Sequence, residues 1–77
     1  MPTVLTNAGF VVMIYTHDHE PMHVHVFHAE ESVVVNLLSL EIRDVYMSNK
    51  NVKAARRLVA ENQESLIAKW LEISPVP

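Results

Sequence analysis

The sequence predicts an α+β fold: a small antiparallel four-stranded meander covered on one face by a long C-terminal helix. Three observations predict it. The first half is built from β-branched and aromatic segments separated by short polar turns. Between Ser48 and Pro75 no Gly or Pro interrupts, and apolar residues recur at helical spacing. The links between the first strands are short, which favours antiparallel neighbours over crossovers.

The elements follow in order. Thr3-Val4-Leu5 is a short strand, and Asn7-Ala8-Gly9 is the turn that ends it. Phe10 to Thr16 is the strongest strand signal and is apolar at both parities, so both of its faces are expected to be covered. His23-Val-His-Val-Phe-His28 alternates imidazole and apolar side chains with the period of two that marks a strand. Ala29-Glu30-Glu31 is a short link whose carboxylates are read as turn solvation, and Ser32 to Leu38 is the fourth strand. Ile42 to Tyr46 is a fifth short strand or an irregular piece. The strands thus fall within about residues 3–46 and the helix over about 49–73 of a single domain, 1–77.

Ser48 is the expected N-cap. Val52, Ala55, Val59, Leu66, Trp70 and Ile73 form one apolar face, interrupted at Asn62. A helix over 49–73 runs to ~37 Å, whereas the strand over 10–16 spans only ~23 Å. The helix should therefore overhang the sheet, bend, or split near residues 60–62. One helix covers one sheet face, and the apolar residues left on the other point to association, with a homodimer expected.

Composition narrows the function classes. The chain has 77 residues, five His, no Cys and a formal charge of −3 with His neutral. A domain of this size buries only roughly 60% of its unfolded surface, so good packing or a partner must stabilise it. Without Cys, neither disulfides nor thiolate zinc can staple it. The longest apolar run, Phe10 to Tyr15, is too short to cross a membrane, and no N-terminal signal segment is recognisable. A cytoplasmic protein without a membrane partner is the expectation. There is no glycine-rich phosphate loop and no Ser in a nucleophile elbow.

All five histidines lie between His17 and His28, and their protonation moves the formal charge from −3 to +2. On a strand, His23 and His25 share a face with origins roughly 6–7 Å apart, while Val24 and Val26 point to the core. Three uses of that pair stand open. The imidazoles can simply hydrogen-bond carboxylates such as Asp18 or Glu20. They can act as acid and base near neutrality, because ordinary His titrates near ~6.5. With Asp18 and His19 they can form a nitrogen/oxygen set for a transition metal such as Zn, in an open site. Charge is also uneven. Residues 1–48 hold one Arg against six acids, a formal −5, and residues 49–77 hold five bases against three acids, a formal +2. Lys53, Arg56 and Arg57 are candidates for phosphate or an acidic partner, or else a solvated helix face. Cations near a helix N-terminus oppose the macrodipole. His17 and His28 are assigned to the surface.

Met1-Pro-Thr-Val-Leu5, Asp18-His19, Pro21-Met-His-Val-His-Val26 and Trp70 resemble the small bacterial domain-of-unknown-function family 4160. Its members open with a similar Pro-Thr-Val strand, carry an acidic-His step before Pro-Pro-His-Val-His-Val, and end in a helix with a late Trp. Met22 departs from the pattern by replacing the second Pro, and His17 stands where Asn is usual. Asn51 replaces the Glu that completes a capping box, which implies a weaker helix start. The resemblance implies no settled activity. It does imply a gene neighbour from a second small family, in pairs described as toxin–antitoxin modules. Three functions are carried forward. The first is a module binding a small cognate protein from the adjacent gene through its His-bearing region. The second is a ribonuclease toxin using His23 and His25 on RNA, with Arg56 and Arg57 on phosphate. The third is a small metal-binding domain.

Overall fold

The computed structural model describes residues 3–15 and 19–73. Five strands and two helices follow one another: β1 (Thr3–Asn7), β2 (Phe10–Met13), β3 (His23–His28), β4 (Glu31–Asn36), β5 (Ile42–Tyr46), α1 (Asn49–Glu61) and α2 (Gln63–Ile73). The strands form one antiparallel sheet in sequence order. The α+β meander is as expected, but the sheet has five strands rather than four. The second strand also ends at Met13, short of the predicted Thr16, which lies outside the described residues. Among the described residues no helix is long and apolar enough to cross a membrane.

Two tight turns set the register of the first four strands. Ala8 and Gly9 both have positive φ, 51° and 85°, as a two-residue hairpin turn matched to strand twist demands. Gly9 also lies over the His28 ring, which a Cβ there would meet at 3.4 Å. The β3–β4 turn places Ala29 at φ 53°, a conformation in which a Cβ is strained. The β3–β4 turn aligns Val26 with Val33 and Val24 with Val35, and Val26 pairs on its other side with Val12 of β2. All five valines are at most 1% exposed.

β5 escaped the strand count because nothing in its sequence alternates cleanly, and the structure shows why. Arg43 and Tyr46, three residues apart, pair with Val34 and Ser32, two apart. The strand therefore holds one extra residue, a bulge at whose start Asp44 takes φ 50°. Every residue of this edge strand is exposed.

The helical layer rests on one sheet face. Val52, Ala55, Leu58, Val59, Leu66 and Trp70 are buried with Phe10, Val12, Ile14 and Leu37 in one core. The single predicted helix splits at Asn62, one of the three outcomes its excess length allowed. Asn62 leaves helical geometry at φ −122°, and its backbone N–H donates to the Val59 carbonyl. Its side-chain amide donates to the Leu58 carbonyl at 2.8 Å. An amide in the apolar stripe satisfies itself by closing one helix, and α2 starts at the next residue. Gln63 then donates to the Leu37 carbonyl at 2.6 Å, anchoring that corner beyond the end of β4.

The helix start is better secured than expected. Ser48 caps α1, its Oγ accepting from the Asn51 N–H. The carboxylate missing from the local capping box comes from the sheet instead. Glu31 accepts the Ser48 N–H at 3.2 Å and the Asn51 side-chain amide at 2.8 Å. Placed there, it also offers negative charge to the positive end of the helix. The assignment of Glu31 to turn solvation is corrected accordingly.

Two predictions follow from these contacts. Replacing Glu31 with Ala should cost about 1–2 kcal/mol in urea denaturation. Glu30→Ala, one residue away, should stay within about 0.5 kcal/mol, and equal losses would contradict the capping role. Ala29→Gly should raise stability by about 0.5–1 kcal/mol by relieving the positive φ; a decrease would mean that the turn tolerates Ala without strain.

Candidate functional site

Alternation along β3 divides its side chains between two environments. Val24 and Val26 enter the core, as expected, and His25 and Phe27 stand on the opposite sheet face. His23 is 7% exposed at the start of the strand. Its Nδ1–H donates to the Pro21 carbonyl oxygen at 2.8 Å, because a carbonyl can only accept. The His23 ring lies 5.4 Å from that of Trp70 and 5.1 Å, edge to face, from that of His25. Tyr15 adds an edge-to-face contact on His25 at 4.4 Å. The two histidines do share a neighbourhood, and it is an aromatic one. Trp70 anchors α2 there, 2% exposed.

The sheet face bearing His25 carries cross-strand rows that the register defines. One row is Met13, His25, Val34 and Arg43; the next is Val11, Phe27, Ser32 and Tyr46. Both helices pack on the other face; on this one Tyr15 lies against His25 and Val34 is buried, while Val11, Met13 and Phe27 are partly exposed. Between β3, β4 and β5 the surface dips into a groove of about 310 Å³, with His25, Phe27 and Val34 within it and Asp44 and Tyr46 at its β5 side. On the same face Arg43 donates from Nε to the Asn36 side-chain oxygen at 3.4 Å. Tyr46 is 73% exposed. Sequence reasoning missed Phe27, Asp44 and Tyr46 as site residues. Their signal is faint, because an aromatic at an edge strand gains meaning only beside its neighbours.

The basic candidates lie elsewhere. Lys53 and Arg57 line a groove of about 370 Å³ between α1 and the β1–β2 turn, with Phe10 in its wall. Phe10 pairs with His28, and their rings meet at 4.5 Å. His28 is thus half-buried beneath the hairpin rather than a surface residue. His23 lies at the other end of β3, roughly 17 Å away along the strand, and His25 faces the opposite side of the sheet. Arg56 turns away from both, donating from Nε to the Leu40 carbonyl at 3.0 Å. The imidazoles and the guanidiniums required together by a ribonuclease are not in one groove. Of the metal candidates, His23 and His25 are adjacent, His19 is exposed, and Asp18 lies outside the described residues, as does His17. Among the described residues no group of three or more potential ligands is placed to hold a metal.

Residues 9–71 match the family described as Domain of unknown function (DUF4160), and the chain belongs to that family. The matched span includes the His-bearing strand, the open face and Trp70, and begins after β1. No curated protein and no solved structure matches the chain.

The contacts of His23 make it a stabilising residue. His23→Ala should cost about 2 kcal/mol through the lost hydrogen bond and the lost packing on Trp70. His19→Ala should stay within about 0.5 kcal/mol. Thermal unfolding of the two variants measures the difference, and indistinguishable midpoints would remove His23 from the core.

Proposed function

We propose that this member of the family is a partner-binding component of a bacterial, cytoplasmic two-gene module of toxin–antitoxin type, and that it meets its small cognate protein with the open face of the sheet. One observation carries the proposal: the helices cover a single face, and the other keeps apolar side chains partly exposed. Val11, Met13 and Phe27, each partly exposed, form the centre of that face beside the buried Val34, with Thr6, Ser32, Asn36 and Arg43 around them. An apolar centre within a polar rim is the usual anatomy of a protein interface. Tyr46 at the β5 edge adds the kind of exposed aromatic side chain that anchors such contacts.

This refines the expectation that the His-bearing region makes the contact. His25 lies in the groove and belongs to the proposed surface, whereas His23 is buried behind it. A homodimer through the same face is the competing use of it. A ribonuclease reading has less support, since His23 and His25 are separated from Arg57 by the length of the strand or the thickness of the sheet.

Co-expression of the tagged chain with the untagged product of the adjacent gene tests the proposal. A stoichiometric complex should form, and Tyr46→Asp should weaken it by at least about tenfold without unfolding the chain. A chain that never associates with that product overturns the proposal. So does a chain that is dimeric alone through this face and remains so when the product is added.

A further inference from the structure

The charge on α1 is unexplained by the open sheet face, which lies on the other side of the molecule. Lys50, Lys53, Arg56 and Arg57 occupy this helix with no acid in its first turn, against its own macrodipole. Lys53, Arg56 and Arg57 line one recess with Leu40 and Ala60. Arg56 is tied to the Leu40 carbonyl and holds the β4–β5 connection. Lys53 and Arg57, one turn apart, stand together along one groove, and among the described residues neither forms an ion pair. Phe10 and Leu58 supply the apolar lining, and Asn7 and Ala8 of the β1–β2 turn form the facing wall. Glu61, a further turn along the helix, closes the row with a carboxylate.

We infer that this groove binds an acidic amphipathic segment of another protein. Its charge and its lining together select that chemistry. A helical segment with carboxylates at i and i+4 spaces them at about 6 Å, matching Lys53 and Arg57 one turn apart. An apolar side chain between them would reach Phe10 and Leu58. Glu61 repels a third carboxylate, which limits the acidic run. Nucleic acid suits the groove less well. Its phosphates have no use for an apolar lining or for Glu61, and residues 1–48 carry a formal −5 that opposes a polyanion.

The test is a fluorescence anisotropy titration of the full chain with a short dye-labelled peptide. The peptide carries Glu at i and i+4, with Leu and Phe on the adjoining face. Saturable binding is expected, weakened at least about tenfold in the Lys53→Glu/Arg57→Glu variant and with a peptide bearing Gln for Glu. Glu61→Gln should leave it intact or tighter. Both cations are exposed, so circular dichroism should show the double variant folded. Absence of saturation up to about 1 mM peptide, or equal binding by the folded double variant, overturns the inference. Tighter binding of a single-stranded RNA that the double variant loses would assign the groove to nucleic acid and overturn it as well.

Discussion

In the middle of the sheet Val26 lies between Val12 and Val33, and one residue along His25 lies between Met13 and Val34. The pleat makes these two placements inseparable. A slip of a single residue would carry His25 into the layer under the helices and expel a valine to the open face. Burying an imidazole among aliphatic side chains without hydrogen bonds is costly, and so is exposing the valines. The register of β3 is therefore held by burial as well as by the turn at Ala29-Glu30. Which face the helices cover, and which they leave open, is settled by the same alternation.

The position of the helices on that face is set by polar contacts at the two ends of β4. Glu31, its first residue, holds the Ser48 and Asn51 amides at the start of α1. Beyond its last residue, Leu37 accepts from Gln63 at the start of α2. β4 has six residues and α1 thirteen, so each is about 20 Å long. The helix ends where its strand ends. Asn62 stands at that point, and an amide that closes one helix there allows the chain to turn and bring Trp70 against His23.

Two surfaces of opposite character result, on opposite sides of the domain. The open face is apolar at its centre and includes His25, while the groove beside α1 is basic with an apolar lining. The histidines and the cations that look like parts of one site in the linear sequence are divided between these surfaces and the core. His23 and His28 contribute packing, Arg56 contributes a loop contact, and His25, Lys53 and Arg57 remain at surfaces that can meet a partner.

Much of this was legible from the residues alone. The alternation of His23 to Val26, the apolar stripe from Val52 to Trp70 and the Ser48 cap are local patterns, and local periodicity dictates which side of an element is buried. The family resemblance was legible because it lies in short runs of residue identity spread along the chain. The fifth strand was only half visible, because an exposed, bulged edge strand has no buried side to impose a period. Glu31 as a helix cap, Arg56 as a loop clasp and the distance between His23 and Arg57 could not be read at all. Each depends on which residues distant in the chain become neighbours. The sequence by itself determined the elements and their inward faces, because those follow from spacings of two and of three to four residues. Only the tertiary structure decided which polar side chains are consumed in holding layers together and which are left at the surface, because that depends on partners sixteen or more residues away.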